Sequence, residues 1–402
     1  MISTGLTVDD RSMQTALAES VDVVEAPCSQ IGRKSGQSGI NVFVHLAVDK
    51  DATEWRRKRD AGDLVGINDP TPYGYGRAEQ MGCRVAFSKS KKENKVEKLW
   101  RLALRAILGA DVVHALRNRE AILSSDIVWT HTESQYLAVA MVGLLYGKRV
   151  PTIAQTIWLI DSWDALSWPK KALFRSLVAR MDVLTFHSPE NYARAKALFP
   201  AADVRWVKFG IPAETRRMCG RRAHENVVNI LALGNDRHRD WKTLIDAVSG
   251  MERVKLKILS GSVPKRLVKR AGNIEVTRAG SNDELREAFD EATLVCVPLR
   301  ENLHASGITV IQEAVLSGVP VVATDVGGVS AYFSPDEIRY VPVGDAAALR
   351  AAFEEIFRNP EQAFARASRA QARMADLDDF GAQAYVRQHV DLSREILKQD
   401  RS

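Results

Sequence analysis

Two stretches in the second half of this 402-residue chain combine cations, carboxylates and glycine in a way that suits an anionic ligand. In the first, Gly234-Asn-Asp-Arg-His-Arg-Asp-Trp-Lys242 leaves an apolar run and opens a helical one. Arg237 and Arg239 are placed there to reach a phosphate, and the helix start adds its partial positive charge. In the second, Pro298-Leu-Arg-Glu-Asn-Leu-His-Ala-Ser-Gly-Ile-Thr-Val-Ile-Gln-Glu313 ends a strand, passes a small-residue loop (Ala305-Ser306-Gly307) and starts a helix. Glu313 lies inside that helix beside Ile311 and Ala314, where a carboxylate is costly unless it has a partner such as ribose hydroxyls. Taken singly, each stretch also has a plain reading: a polar loop with a solvated charge cluster, and an exposed helix glutamate.

The elements that would position these residues follow a regular rhythm. Ile40–Val48, Arg84–Ser88, Asp111–Leu116, Ile127–Thr130, Val150–Thr156 and Val183–His187 read as strands of a first unit, with helices over Gln135–Tyr146 and Lys170–Arg180. Val228–Gly234, Lys255–Ser260, Glu275–Thr277, Leu294–Leu299 and Val319–Thr324 repeat the pattern, with helices over Trp241–Val248, Asp283–Glu291 and Thr309–Ser317. Strands alternating with helices of this length argue for parallel βαβ units, hence an α/β fold of two Rossmann-like, doubly wound domains facing a central cleft. Gly210 and Pro212 punctuate the change. The expected division is a loose extension over 1–38, a first domain over 39–207, a second over 208–378 and a last helical segment over 379–402 that packs back on the first domain.

Composition narrows the class. Hydrophobic residues make up 46% and charged residues 26%, as in a soluble globular protein. Cys28, Cys83, Cys219 and Cys296 show no metal-type spacing and read as reduced thiols. MISTGLTVDD has neither a basic nor an apolar leader region, and the longest apolar stretch, Leu137–Leu145, is too short to span a bilayer, so a cytoplasmic protein is expected. Ala86–Gly109 carries seven basic residues against two acids, with Leu99, Trp100, Leu102, Leu104, Ile107 and Leu108 at largely helical spacing. That segment reads either as a contact to the inner face of the cell membrane or as a helix packed on its own domain with a solvated basic face. Its aromatics are not interleaved with the cations as stacking platforms would be, which argues against nucleic acid.

The pattern strand–Gly–basic loop–helix, then VPL–loop–SG–x5–EA–x3–G–x-PVVATDVGG, closely resembles the donor-binding domain of the family 4 glycosyltransferases of the GT-B fold. The resemblance covers Val228 to about Phe357 well and the first half in outline. It implies that Arg239 stands at the diphosphate-binding lysine, that backbone amides of Ser306, Gly307, Ile308 and Thr309 meet the phosphates, and that Glu313 is the ribose-binding glutamate. The family's first glutamate is Ala305 here, with Glu301 and His304 as nearby substitutes, of which Glu301 is taken as the catalytic candidate. Asn235 stands where an arginine usually follows the first glycine, and Arg237 takes over that charge.

In the first half, the resemblance implies that His131, in Trp129-Thr-His-Thr-Glu133, lies near acceptor and transferred sugar, with Glu133 beside it. It implies that Tyr73-Gly-Tyr-Gly76, through Gly74, is a flexible loop over the donor phosphates, the alternative being a plain turn after Pro72. Asp161, in a loop where Trp158 replaces a frequent histidine, is a candidate acceptor contact. The implied reaction is transfer of a hexose-type sugar from a nucleotide diphosphate sugar, UDP-sugar favoured. The acceptor would be a saccharide or lipid-linked saccharide in surface or exopolysaccharide assembly, with retention at the anomeric carbon. No cofactor and no metal are strictly required by this scheme, and there is no Asp-x-Asp motif in a fitting place. A GT-B-fold epimerase or a non-catalytic nucleotide-binding assembly subunit are the rival readings. A dinucleotide oxidoreductase is disfavoured, because no G-x-G-x-x-G follows the first strand.

Overall fold

Each half of the chain builds a six-stranded, all-parallel sheet with helices on both faces, described by a computed structural model for residues 23–25, 39–217, 227–268 and 272–399. A short antiparallel pair, β1 (Val23–Glu25) with β8 (Thr215–Arg217), stands apart from both sheets. The remainder of the expected 1–38 extension lies outside the described residues.

The first sheet contains β2 (Asn41–His45), β3 (Arg84–Phe87), β4 (Ile127–Thr130), β5 (Thr152–Thr156), β6 (Val183–Phe186) and β7 (Val204–Trp206), in the order β3-β2-β4-β5-β6-β7. The second contains β9 (Val228–Leu233), β10 (Val254–Leu259), β11 (Ile274–Thr277), β12 (Leu294–Val297), β13 (Val321–Thr324) and β14 (Arg339–Val341), in the order β11-β10-β9-β12-β13-β14. Central strands such as Ile127-Val-Trp-Thr130, Leu294-Val-Cys-Val297 and Val321-Val-Ala-Thr324 are buried along their whole length. That is what a parallel sheet covered on both faces requires of its sequence. In each sheet the strand order reverses once, between β2 and β4 and between β9 and β12. At such a reversal the two crossovers leave on opposite faces and a crevice opens beyond the strand ends. His131 follows β4, and Gly234 follows β9.

The chain passes between the sheets twice. At that crossing a Cβ on Gly210 would overlap the backbone of Gly381, so neither pass could approach the other with a side chain at Gly210. The last helix, Gly381–Gln399, then lies against the first sheet. Its Tyr385, Val386, Val390 and Ile396 share a core with Val42, Val44, Trp129 and Ile153, and Trp129 Nε1 donates to Ser393 Oγ at 2.9 Å.

One local reading needs correction. Asp111–Leu116, expected as a strand, is the start of a helix, Val112–Arg117. Asp111 caps it by accepting from His114 N, and its other oxygen accepts from Arg101 Nη1 at 2.7 Å, which fixes the capping carboxylate. The charged segment after the first strand is also helical, Ala52–Asp60, capped by Asp51.

The basic amphipathic segment forms the helix Lys95–Leu108, with an Asn94/Glu97 capping box. It packs on its own domain through Arg101 and half-buried Leu104 and Leu108, with other apolar side chains outside. Leu99 is 70% exposed, Trp100 66% and Ile107 70%, whereas the buried residue is Arg101, paired with Glu93 and Asp111. Lys170 Nζ donates to Ala106 O at 3.2 Å, which brings the 79%-exposed Trp168 of the neighbouring helix start to the same face.

Candidate functional site

The crevice between β9 and β12 contains a buried cation with no anion. Arg239 is 4% exposed, its Nε donates to Leu233 O at 3.0 Å, and its Nη1 has no hydrogen-bond partner. It forms no salt bridge with any described residue, and desolvation, opposed by Asp236, lowers its pKa to about 10. A buried guanidinium costs several kcal/mol unless an anion compensates it, on the order seen for buried ions generally. A Cβ on Gly307 would lie 2.7 Å from Arg239 Nη1, so glycine is what lets the loop before the helix Ile308–Leu316 approach this cation. The ladder contact between Arg239 and Leu299 fixes the two loops side by side.

The loop amides are unequally available. Ser306 N donates to Asn302 Oδ1 at 3.2 Å and Ile308 N to Ala305 O at 3.2 Å. The expected contribution of four amides therefore narrows to those of Gly307 and Thr309. Arg237 is exposed at the rim. Ala305 takes φ 53°, a left-handed conformation that costs a non-glycine residue of order 1 kcal/mol or more. Glu301 is exposed and makes no hydrogen bond or ion pair with a described residue; the substitute that reaches into the crevice is His304.

Glu313, half-buried on the helix Ile308–Leu316, has its pKa raised to about 7 by desolvation despite the hydrogen bond from Ile67. Its Oε1 accepts from Ile67 N at 3.0 Å. The segment carrying Ile67 belongs to the first domain: Gly66 N donates to Asn282 Oδ1 at 2.9 Å, and Asn282 Nδ2 returns a bond to Leu64 O at 3.0 Å. A Cβ on Gly66 would come within 2.7 Å of Glu313 Oε1. Leu64–Ile67 thus caps the carboxylate, a contact that the sequence reading missed; Gly66 in Asp63-Leu-Val-Gly-Ile67 was the available signal.

The glycine loop expected over the donor packs on the last helix. Gly74 and Tyr75 are buried against the last helix, where a Cβ on Gly74 would sit 3.1 Å from Ala382 Cβ, and Tyr75 Oη bonds Tyr385 Oη at 2.6 Å. The bulk and hydrogen bonding of the two tyrosines hold this segment against that helix.

At the first crevice, His131 ends β4 but is covered. Tyr73, itself at φ 56°, stacks on its imidazole at 3.4 Å between ring centroids, and Tyr75 Oη bonds Nδ1 at 3.1 Å. Burial first, then His187, His389 and Lys50, push its pKa well below the ordinary value and keep it neutral. Glu133 holds the next loop, accepting from Ile157 N and Trp158 N at 3.2 and 3.3 Å, and burial raises its pKa. Asp161 reaches across to the second domain: Oδ1 accepts from Leu303 N at 2.7 Å and Oδ2 from His304 Nδ1 at 3.0 Å. Both oxygens are engaged in that clasp, unlike the open acceptor contact expected. Burial opposes the charged form of His304, yet its hydrogen bond to Asp161 and the nearby Asp236 carboxylate raise its pKa.

Residues 227–359 match the family model of glycosyl transferases group 1. No curated protein matches the chain. Among solved structures, sucrose-phosphate synthase from Thermosynechococcus elongatus is 17% identical with a TM-score of 0.64, over 89% of this chain and 100% of that one. Anabaena HepE in complex with UDP-glucose is 14% identical with a TM-score of 0.60, covering 89% and 100%. A UDP-forming α,α-trehalose-phosphate synthase from Burkholderia xenovorans is 12% identical with a TM-score of 0.58, covering 89% and 99%. With a six-stranded parallel sheet in each half and these structural likenesses, the chain has the GT-B fold, and its residues 227–359 are similar to glycosyl transferases group 1.

Proposed function

We propose that the protein transfers a hexose-type sugar from a nucleotide diphosphate sugar, with UDP-sugar as the donor, to a saccharide or lipid-linked saccharide in surface or exopolysaccharide assembly. The observation that carries this reading is Arg239, a buried guanidinium without a counter-ion beside Gly307 at a helix start. Arg239, Arg237 and the Gly307 and Thr309 amides would take the diphosphate and stabilise the charge that grows on it as the glycosidic bond breaks. Glu313 would accept from the ribose hydroxyls, which requires Leu64–Ile67 to yield its bond. Acceptor approaches from the first-domain side, where the neutral imidazole of His131 is suited to hydrogen bonding. Retention of configuration rests on the family resemblance. The UDP preference is supported by the neighbours, since the HepE structure holds UDP-glucose and the trehalose-phosphate synthase is named UDP-forming.

A lipid-linked acceptor is supported by the helix Lys95–Leu108. Among the described residues no helix is long and apolar enough to cross a membrane. Exposed Leu99, Trp100, Ile107 and Trp168 ringed by Lys91, Lys92, Lys95 and Lys98 are what a protein resting on an anionic inner leaflet presents.

A thermal-shift screen against nucleotides and nucleotide sugars tests the donor assignment, because a ligand that binds the folded state raises its apparent stability by mass action. UDP and one UDP-sugar should give the largest shifts. No shift with any nucleoside diphosphate would overturn the assignment, and shifts without turnover on any acceptor would favour a non-catalytic subunit.

A further inference from the structure

A loop of the second domain, residues 302–305, is held by the first. Leu303 packs against the first domain's core. Asp161 accepts from Leu303 N at 2.7 Å and from His304 Nδ1 at 3.0 Å. Asn302 Oδ1 stiffens the loop from within, accepting from His304 N at 3.3 Å and from Ser306 N at 3.2 Å. The same loop runs on to Gly307 beside Arg239.

His304 stands between carboxylates from opposite domains. The Asp161 carboxylate can only accept, so the Nδ1 of His304 carries a proton. The other nitrogen, Nε2, faces Asp236 Oδ2 at 3.6 Å and makes no hydrogen bond. A neutral ring therefore turns a lone pair toward a carboxylate in a place nearly closed to water, His304 being 6% exposed. A proton on Nε2 replaces that repulsion with attraction, and one imidazolium then serves both carboxylates. Burial opposes this charge, and Asp161 and Asp236 overcome it. Glu133, from the first domain, is also attracted to a charged His304. His238, whose ring centroid lies 4.8 Å away, and His187 are held toward the neutral form by burial and add little repulsion.

We propose that His304 is a proton-operated latch between the two domains: as imidazolium it ties Asp161 of the first domain to the loop of the second, and its deprotonation loosens that tie. With the domains apart the ring returns toward its ordinary value near 6.5, and with them together the value is raised. The latch is therefore at full strength below about 6.5 and is lost as pH rises through the raised value. Glu313 also titrates at the domain boundary, but its bond from Ile67 N survives in either state, since carboxyl and carboxylate both accept. Because the latched loop leads to Gly307, the proton sets how firmly the wall of the crevice beside Arg239 is held against the first domain.

The Leu303 amide reports the latch directly, because its bond to Asp161 must open before the amide exchanges with water. Solvent-exchange NMR gives its protection factor, corrected for the intrinsic acceleration of exchange with pH, between about pH 6 and about pH 8.5 without nucleotide. The wild type should lose protection several-fold across this range, and Glu313→Gln should lose it equally. In His304→Gln protection should already be low at the acid end and change little. If that variant does not fold, Asp161→Asn, which removes the first-domain charge, should flatten the dependence in the same way. Wild-type protection that is constant with pH overturns the proposal, as does an undiminished loss in His304→Gln or Asp161→Asn. The latch closes the crevice read above as the donor site, but its test uses no donor: UDP binding together with a pH-independent Leu303 amide would refute the latch alone.

Discussion

The two crevices occupy equivalent places in the two domains, yet their chemistry is opposite. Beyond β4 and β2 the first crevice is filled from within: Tyr73 lies flat on His131, Tyr75 bonds it, and the surrounding histidines are buried and neutral. Beyond β9 and β12 the second keeps a buried guanidinium, Arg239, that forms no salt bridge with a described residue, and a carboxyl, Glu313, held by a segment borrowed from the other domain. An internally satisfied crevice is stable as it stands. One with an unpaired buried cation would be stabilised by an anionic ligand, and this difference is the ground on which we propose the second domain for the donor.

The largest effect should come from Arg239→Ala. A donor that acts mainly on charge developing in the transition state is worth on the order of 3 kcal/mol, so turnover should fall about a hundredfold with the fold intact. Wild-type turnover with any accepted donor would erase the contrast between the crevices.

Glu313→Gln should separate binding from stability. The carboxyl ionises near 4.5 in an unfolded chain and near 7 when buried here, so between those values the folded protein holds the extra proton. Stability from this group is therefore present below about 4.5 and lost as pH rises through 7. The variant, whose amide oxygen can still accept from Ile67 N, should be more stable than wild type at pH 8 by up to about 3 kcal/mol and nearly equal at pH 4.5. Urea unfolding at both pH values measures this, and an equal difference at both would remove the buried-acid account. Nucleotide KM should rise in the same variant with kcat largely retained, because ribose contacts persist from ground to transition state.

Gly66→Ala tests whether Leu64–Ile67 competes with ribose. The added Cβ crowds Glu313 Oε1 and the backbone sits at φ 109°, so the cap should loosen and nucleotide should bind several-fold tighter. Weaker binding would mean that the segment belongs to the ribose site. At the first crevice, Tyr73→Ala should bring the His131 pKa back toward its ordinary value as water reaches the ring, read by NMR titration of the imidazole. The mildest effect on chemistry is expected from Lys91→Glu, Lys92→Glu, Lys95→Glu. Vesicle sedimentation should show loss of binding to anionic lipid, with activity on a short soluble acceptor kept; equal wild-type binding to neutral and anionic vesicles would contradict the surface role.

What was legible in the sequence was what the chain encodes locally. Gly234 through Arg239, and Gly307 with Glu313, each stand on one strand–loop–helix path, so spacing places them locally, while the roles proposed for them toward phosphate and ribose come from the family resemblance. The cap by Leu64–Ile67 and the clasp by Asp161 bridge positions more than a hundred residues apart, and no periodicity marks them. Val112-Val-His-Ala-Leu116 was misread because a short apolar run does not distinguish strand from buried helix; the cap at Asp111 decides it. The partners of Gly74 and Gly66, Ala382 and Glu313, are supplied by the tertiary fold.

The central claim is that the unpaired Arg239 marks a nucleoside diphosphate site. Calorimetric titration of UDP into wild type and Arg239→Ala tests it most directly. The account expects one UDP per wild-type chain and a large loss of affinity in the variant, with circular dichroism unchanged. Equal affinity in the two proteins, or no nucleoside diphosphate bound by the wild type, would contradict it.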